Sequence, residues 1–152
     1  VSIQYQVNRD LLDSNQINLQ KRIQTEGWGK RFLQHQNDDG HWGRGYYMPK
    51  WTSTHYTLMT LKNLGISSDV DSIHSILDQL LYQDRQFEPA QKAISTSILY
   101  SDVCLNGMFL NFASYFLAEE PKLNIIVNFI LSQQIEDGGF NCQKNRSGAR
   151  HS

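Results

Sequence analysis

Two stretches of the sequence share one pattern: a glutamine, then an Asp-Gly pair, then an aromatic residue. Residues 32–42 recur as residues 130–140, and the two glutamines, Gln36 and Gln134, lie 98 positions apart. In both copies an apolar pair precedes the glutamine, and the aromatic residue stands two positions after the glycine. This order is typical of a helix that ends in a glycine turn. A repeated helix end predicts a fold built from helical hairpins.

The segments around these turns are predicted to be helices. Apolar residues recur at three- and four-residue intervals, and no segment alternates as a strand does. The spacing of the repeat exceeds one helical hairpin of roughly 40 to 50 residues, so a degenerate turn is expected near residues 80–87. We predict an all-α fold. The clearest helices are expected around residues 56–64, 73–81, 103–117 and 122–131.

Composition excludes several classes of protein. In 152 residues, 39% are hydrophobic and 19% charged, with a net charge of -1, so neither disorder nor binding to nucleic acid is expected. No apolar run approaches the roughly 18 residues of a membrane span, and the N-terminus lacks a signal-peptide pattern. Two cysteines are too few for a disulfide framework. We therefore expect a soluble, cytoplasmic protein whose cysteines are free thiols or include one metal ligand.

The motifs at the turns resemble a known superfamily. Residues 30–42 resemble the QW repeat of squalene and oxidosqualene cyclases, with a basic residue, an aromatic-leucine pair, a glutamine and Gly-x-Trp. Residues 47–54 and 137–142 resemble bacterial relatives in the same superfamily of terpenoid cyclases and protein prenyltransferases. The match covers roughly residues 27 to 152. It implies an α/α toroid in which the glutamine of each repeat caps a helix end and stacks on the tryptophan.

The chain has residues for about half of such a toroid. It begins without methionine and stops just after a turn, so we expect a piece of a longer protein. Residues 1–152 are predicted to form a single partial α/α-toroid domain, truncated at the C-terminus, with QW-like turns near 32–43 and 130–142. The open barrel edge would expose apolar faces, which favours a homodimer.

The resemblance also implies a candidate zinc site. Protein prenyltransferase β subunits bind zinc through Asp-x-Cys and a later histidine, and Asp102, Cys104 and His151 match that order. Zinc takes such ligands and can hold an incoming thiol as a thiolate for prenyl transfer. Packing competes with this interpretation, because Cys104 can be a small buried hydrophobe and Asp102 a helix cap. The family's third ligand can also lie beyond the end of this chain.

The acid motif of the triterpene cyclases, Asp-x-Asp-Asp, does not occur in the sequence. The nearest string is Asp69-Val70-Asp71, at a predicted helix start where carboxylates favour the helix dipole. We interpret this pair as a structural cap.

Six aromatic residues crowd the first hairpin. Three of them, Tyr47, Trp51 and Tyr56, are candidates to line a cavity for an isoprenoid or another apolar molecule. Packing of the turn is the alternative for each ring. His35 and His41 are expected at the surface of the first turn. The full set of rings is Trp28, Trp42, Tyr46, Tyr47, Trp51 and Tyr56.

Two functions from different classes follow. The first is a prenyltransferase- or squalene cyclase-like protein that binds an isoprenoid in the barrel; if it is active, it is a transferase or isomerase. The alternative is a non-catalytic helical-repeat module that binds a protein, or an inactive truncated copy. The residues alone leave open whether the chain is an enzyme.

Overall fold

The computed structural model describes residues 1–82, 102–143, 148 and 150–152. Their regular secondary structure consists of seven helices without a strand, so the all-α prediction is confirmed for this part of the chain. The helices are α1 (Ser2–Leu11), α2 (Ile17–Arg22), α3 (Gly27–Gln34), α4 (Thr54–Asn63), α5 (Asp71–Tyr82), α6 (Val103–Phe116) and α7 (Leu123–Ser132). The α/α toroid stays a prediction.

Apolar periodicity located the later helices well. The four helices expected from the sequence correspond to α4, α5, α6 and α7. Asp71 lies in the first turn of α5, where its carboxylate favours the positive end of the helix dipole, as predicted. The degenerate turn expected near residues 80–87 falls outside the described residues from position 83 onward.

The chain divides into two compact units, residues 1–73 and 74–152. In the first unit α1 contacts α2, and α3 contacts α4. The end of α4 approaches α1 closely, because Gly65 has a φ of 77° and a Cβ at this position would lie 2.9 Å from the Tyr5 ring. Glycine is the residue that tolerates both conditions. The buried apolar residues of this unit are Tyr5, Ile23, Trp42, Tyr56, Leu58, Leu61, Ile66, Val70 and Ile73.

A second close approach lies between α2 and α3. Gly29 is a buried residue of α3, and a Cβ on it would clash with the carbonyl oxygen of Ile23. Ile23 ends α2 and is fully buried. The corner between the two helices therefore depends on the absence of a side chain at position 29.

In the second unit α6 packs against α7. The corner before α7 is tied to the end of α5, where the Lys122 ammonium lies over the Tyr82 ring and donates to the Leu81 carbonyl at 3.2 Å. The Tyr82 hydroxyl donates to Glu120 at 2.7 Å. The buried apolar residues are Ile76, Leu77, Leu80, Leu81, Val103, Phe109, Phe112, Ala113, Phe116, Leu123, Ile126 and Ile135.

The repeated pattern forms the same turn twice, the first turn (residues 35–42) and the second turn (residues 133–140). The side-chain amide of Gln36 donates to the Gly40 carbonyl at 2.8 Å, and Gln134 donates to the Gly138 carbonyl at 2.8 Å. Both glycines have a φ of 82°, in the left-handed region that favours glycine. Each turn follows the end of a helix, α3 or α7, as the pattern predicted.

The aspartate before each glycine has an equivalent role in both turns. Asp39 accepts the backbone N–H of His41 at 2.9 Å, and Asp137 accepts that of Gly139 at 3.0 Å. The Gln-x-x-Asp-Gly part of the repeat therefore forms the same turn in both copies, and its glutamine and aspartate side chains each supply one of the bonds that close it. Among the described residues, no helix is both long and apolar enough to cross a membrane.

Candidate functional site

The three predicted cavity-lining rings lie in contact in the first unit. The ring centroids of Trp51 and Tyr56 are 4.9 Å apart, and those of Tyr47 and Tyr56 are 5.5 Å apart. The Tyr56 hydroxyl donates to the Tyr47 hydroxyl at 3.0 Å. Tyr56 is buried, whereas Trp51 is 75% exposed. We call these three residues the aromatic cluster. It presents one exposed indole ring beside Tyr56, whose hydroxyl is bonded to that of Tyr47.

A folded-back loop between the first turn and α4 positions the cluster. Gly43 has a φ of 67°, and a Cβ there would lie 3.0 Å from the Thr52 carbonyl oxygen, so the two ends of the loop meet. The first N–H groups of α4 are satisfied from within the loop. The backbone N–H of Thr54 donates to the Gly45 carbonyl at 3.3 Å, and that of His55 donates to the Tyr46 carbonyl at 2.8 Å. The loop thus replaces a side-chain cap, which α4 lacks.

Trp51 has an uncommon backbone conformation. Its φ is 75°, a left-handed value that costs a bulky residue about 1 to 3 kcal/mol unless surrounding contacts hold it. Such residues are found disproportionately where strain serves a function. The ring contact with Tyr56 is one contact that holds this conformation.

A neutral histidine lies beneath the cluster. His55 is fully buried, and its Nδ1 lies 2.8 Å from the Tyr46 hydroxyl. Its ring meets those of Tyr47 and Tyr56 edge-on, with centroids 5.2 and 5.1 Å away. Burial lowers the pKa of His55 to about 4, so the imidazole is uncharged at neutral pH. The side chain that packs against the Tyr47 and Tyr56 rings is therefore uncharged at neutral pH.

His41 corrects one expectation from the sequence. It was predicted at the surface of the first turn, yet it is buried, and its Nδ1 lies 2.9 Å from the Thr54 hydroxyl. The same hydroxyl accepts the backbone N–H of Trp42 at 3.0 Å. Thr54, at the start of α4, supplies this partner from a distant part of the sequence. The prediction for His35, which is exposed, is confirmed.

The other tryptophans differ from Trp51. Trp42 is buried, and its indole N–H donates to the Phe32 carbonyl at 2.7 Å, so this ring packs the turn. Trp28 is 62% exposed, with the Arg31 guanidinium 5.0 Å from its ring. Trp28 also lines an open groove on α3 together with Gly27, Lys30, Arg31 and Gln34.

The predicted zinc ligands lie in the second unit. Asp102 occupies the N-cap position of α6, but its carboxylate makes no side-chain capping hydrogen bond. His151 is paired with Asp137, with 4.0 Å between Nδ1 and Oδ2. Within the described part of the chain, no three His, Cys, Asp or Glu residues lie close enough to hold a metal ion. The structure therefore does not gather Asp102, Cys104 and His151, and zinc binding stays a prediction.

Cys104 instead meets the other cysteine of the chain. The Sγ atoms of Cys142 and Cys104 are 2.7 Å apart, and the Cys104 N–H donates to the Cys142 carbonyl at 3.2 Å. Both residues are exposed, so the expectation that Cys104 packs as a buried hydrophobe is wrong. Although the residue is exposed, desolvation of its sulfur and the bond from Cys142 raise the pKa of Cys104 to about 11. No sequence motif joins Cys142 to Cys104, 38 residues earlier, so the sequence alone does not predict their contact.

No protein-family model, curated protein or solved structure matches the chain. The superfamily resemblance therefore depends on the sequence patterns of residues 30–42, 47–54 and 137–142 and on the Asp-x-Cys tripeptide. Of the predicted site residues, the structure brings together Tyr47, Trp51 and Tyr56.

Proposed function

We propose that the chain is part of an α/α-toroid protein of the terpenoid cyclase and prenyltransferase superfamily whose aromatic cluster binds an isoprenoid or another long apolar molecule. The observation that carries this proposal is the exposed Trp51 ring, held at a positive φ against Tyr56. The repeated turn with the QW-like pattern supports the superfamily part.

The chemistry of the cluster favours an apolar ligand. Burying apolar surface on a ring face is favourable by about 25 cal/mol per Å². The Tyr56 hydroxyl already donates to that of Tyr47, so a hydrocarbon over the pair leaves this bond intact, and covering a bonded donor costs less than covering an unbonded one. The neutral His55 below adds no charge to desolvate.

Farnesol, a branched isoprenoid alcohol, provides a direct test by quenching of tryptophan fluorescence. We expect Trp51→Ala to weaken binding about tenfold, because the ligand loses its main apolar contact. Trp28→Ala is the matched control, since it also removes an exposed indole but lies outside the cluster. Its affinity for farnesol should equal that of the unchanged protein.

Unbranched pentadecanol, which has the same number of carbon atoms, separates an isoprenoid site from a general apolar one. Tighter binding of farnesol assigns an isoprenoid; equal binding assigns the broader class. Failure of both ligands to bind, or an equal loss in both tryptophan variants, would contradict the proposal and favour the protein-binding module.

Zinc is tested separately, by metal content of the purified protein. The Asp-x-Cys motif predicts near-stoichiometric zinc that Cys104→Ser removes. A zinc content that Cys104→Ser leaves unchanged would remove Cys104 from the ligand set.

A further inference from the structure

Two segments that are distant in the sequence meet at the cysteines. Cys104 lies in the first turn of α6, and Cys142 lies just after the second turn. Besides the contact of their sulfur atoms at 2.7 Å, the Cys104 N–H donates to the Cys142 carbonyl at 3.2 Å. The main chains are thus held together independently of the side-chain rotamers, and both residues are exposed to dissolved reagents.

We propose that Cys104 and Cys142 are a redox site, which forms a reversible intramolecular disulfide by exchange with a small disulfide such as oxidised glutathione. The bond joins the segment after the second turn to the start of α6. The proposal goes beyond ligand binding by the aromatic cluster, because it concerns the second unit and does not depend on the ligand.

The geometry suits this bond. The Sγ atoms are 2.7 Å apart, within about 0.7 Å of the roughly 2.0 Å length of a disulfide bond, so a small adjustment of the two side chains closes the bond. The chain has only these two cysteines, so one intramolecular pairing exists. Access from solvent lets an external disulfide reach Cys142, which an enclosed pair would prevent.

The exchange balances in two steps. The Cys142 thiol loses its proton to solvent, and its sulfur attacks one sulfur of oxidised glutathione, releasing one glutathione thiolate and leaving a mixed disulfide. The Cys104 thiol then loses its proton, and its sulfur attacks the Cys142 sulfur and releases the second glutathione. Two protein thiols are oxidised and one glutathione disulfide is reduced to two thiols. Oxidation also removes Cys104 from any metal site.

The test uses the full chain, incubated in glutathione buffers of stepwise increasing oxidised fraction, acid-quenched and alkylated with iodoacetamide. Intact mass should show two alkyl groups at the reducing end. At the oxidising end it should show none, with a mass lower by two hydrogen atoms and a peptide cross-link between residues 104 and 142. Dithiothreitol should restore both alkylation sites.

Cys142→Ser is the control, and in it Cys104 should remain alkylated or carry one glutathione. Circular dichroism checks that this variant keeps its helices; if it does not, the titration of the unchanged protein decides alone. Persistence of two alkylated thiols in the most oxidising buffer would overturn the proposal. So would two separate glutathione adducts, or a disulfide that joins two chains.

Discussion

Trp42 and Phe140 occupy the same place in the two repeated turns, two residues after the glycine, but they differ in burial. Trp42 is 2% exposed and donates its indole N–H to the Phe32 carbonyl, whereas Phe140 is 40% exposed. The backbone of the two turns is alike, since the glutamine and aspartate make equivalent hydrogen bonds in both. The conformation of the turn is therefore separable from the packing of its aromatic residue.

The difference has a simple chemical basis. The phenylalanine side chain has no N–H, so the Phe140 ring cannot donate to a carbonyl as the Trp42 indole does. In the first turn, the hydroxyl of Thr54 also accepts the Trp42 backbone N–H, which ties the turn to α4. The first turn is thus anchored to α4 through its aromatic residue, whereas the second turn binds a residue outside it through Asp137, which accepts the backbone N–H of Ser152 at 2.8 Å.

Alanine at the two aromatic positions should give the largest contrast. Trp42→Ala leaves a cavity and an unpaired carbonyl, so we expect the free energy of unfolding to fall by about 3 to 5 kcal/mol. Phe140→Ala should cost about 1 kcal/mol or less, because the ring is substantially exposed. Urea unfolding followed by circular dichroism measures both. Similar losses for the two variants would show that the aromatic residues have the same role.

Lowering the pH extends the comparison of the two turns, because the buried His55 lies in α4, the helix that follows the first turn. Its folded pKa is about 4 and its ordinary value is 6.5, so protonation favours the unfolded chain between these values. The free energy of unfolding should therefore fall as the pH drops from 6.5 to 4, and this histidine should contribute about 2 kcal/mol of the loss.

The contribution of His55 is the difference between the pH profiles of the unchanged protein and of His55→Gln. The stability of the variant should depend less on pH between 6.5 and 4. His74→Gln, on α5, is the matched control and should retain the full dependence. Urea unfolding at a series of pH values supplies the data. Identical pH profiles for His55→Gln and the unchanged protein would refute the assignment.

The glycines of the two turns should respond equally. Gly40→Ala and Gly138→Ala each force a side chain into the left-handed region, which costs about 1 to 2 kcal/mol. At Gly138 a Cβ meets nothing within 4 Å, so its cost comes from the backbone alone. Gly107→Ala in α6 is the control, since its Cβ is also unhindered and alanine favours a helix. If Gly138→Ala left the free energy of unfolding unchanged while Gly40→Ala lowered it, the two turns would not be equivalent.

The glutamines should give the smallest contrast. Gln36 donates to Gly40 and to the Ser72 carbonyl at 3.2 Å, and it is partly buried at the Gly40 bond. We expect Gln36→Ala to cost about 1 to 1.5 kcal/mol. Gln134 makes its turn bond in an exposed setting, so Gln134→Ala should cost about 0.5 kcal/mol. Thermal unfolding compares the two, and an equal cost would indicate that the Ser72 contact adds nothing.

Local patterns accounted for what could be predicted from the sequence. The apolar periodicity located α4 to α7, and the Gln-x-x-Asp-Gly pattern located both turns, because these features depend on neighbouring residues. The nearness of Tyr47, Trp51 and Tyr56 has the same origin, since the first two lie in the loop before α4 and Tyr56 lies in the first turn of that helix. Their different burial could not be read from the sequence, because it depends on how the loop folds back at Gly43 and Thr52.

Contacts between distant residues were not predictable in this way. The burial of His41 depends on Thr54, and the exposed pairing of Cys104 depends on Cys142, 38 positions later. No periodicity or motif encodes such a pair. The closure of the helices into a toroid is a property of the same kind, and it stays a prediction together with the superfamily and its ligand.

Two helical glycines set opposite expectations for how the sequence can vary during evolution. A Cβ at Gly107 meets nothing, whereas a Cβ at Gly29 would meet the carbonyl oxygen and side chain of Ile23. Substitution at position 107 should therefore be tolerated. Any side chain at position 29 must instead force α3 away from the end of α2. In a set of true relatives with this corner, glycine at position 29 should persist after the residues on the helix surfaces have diverged.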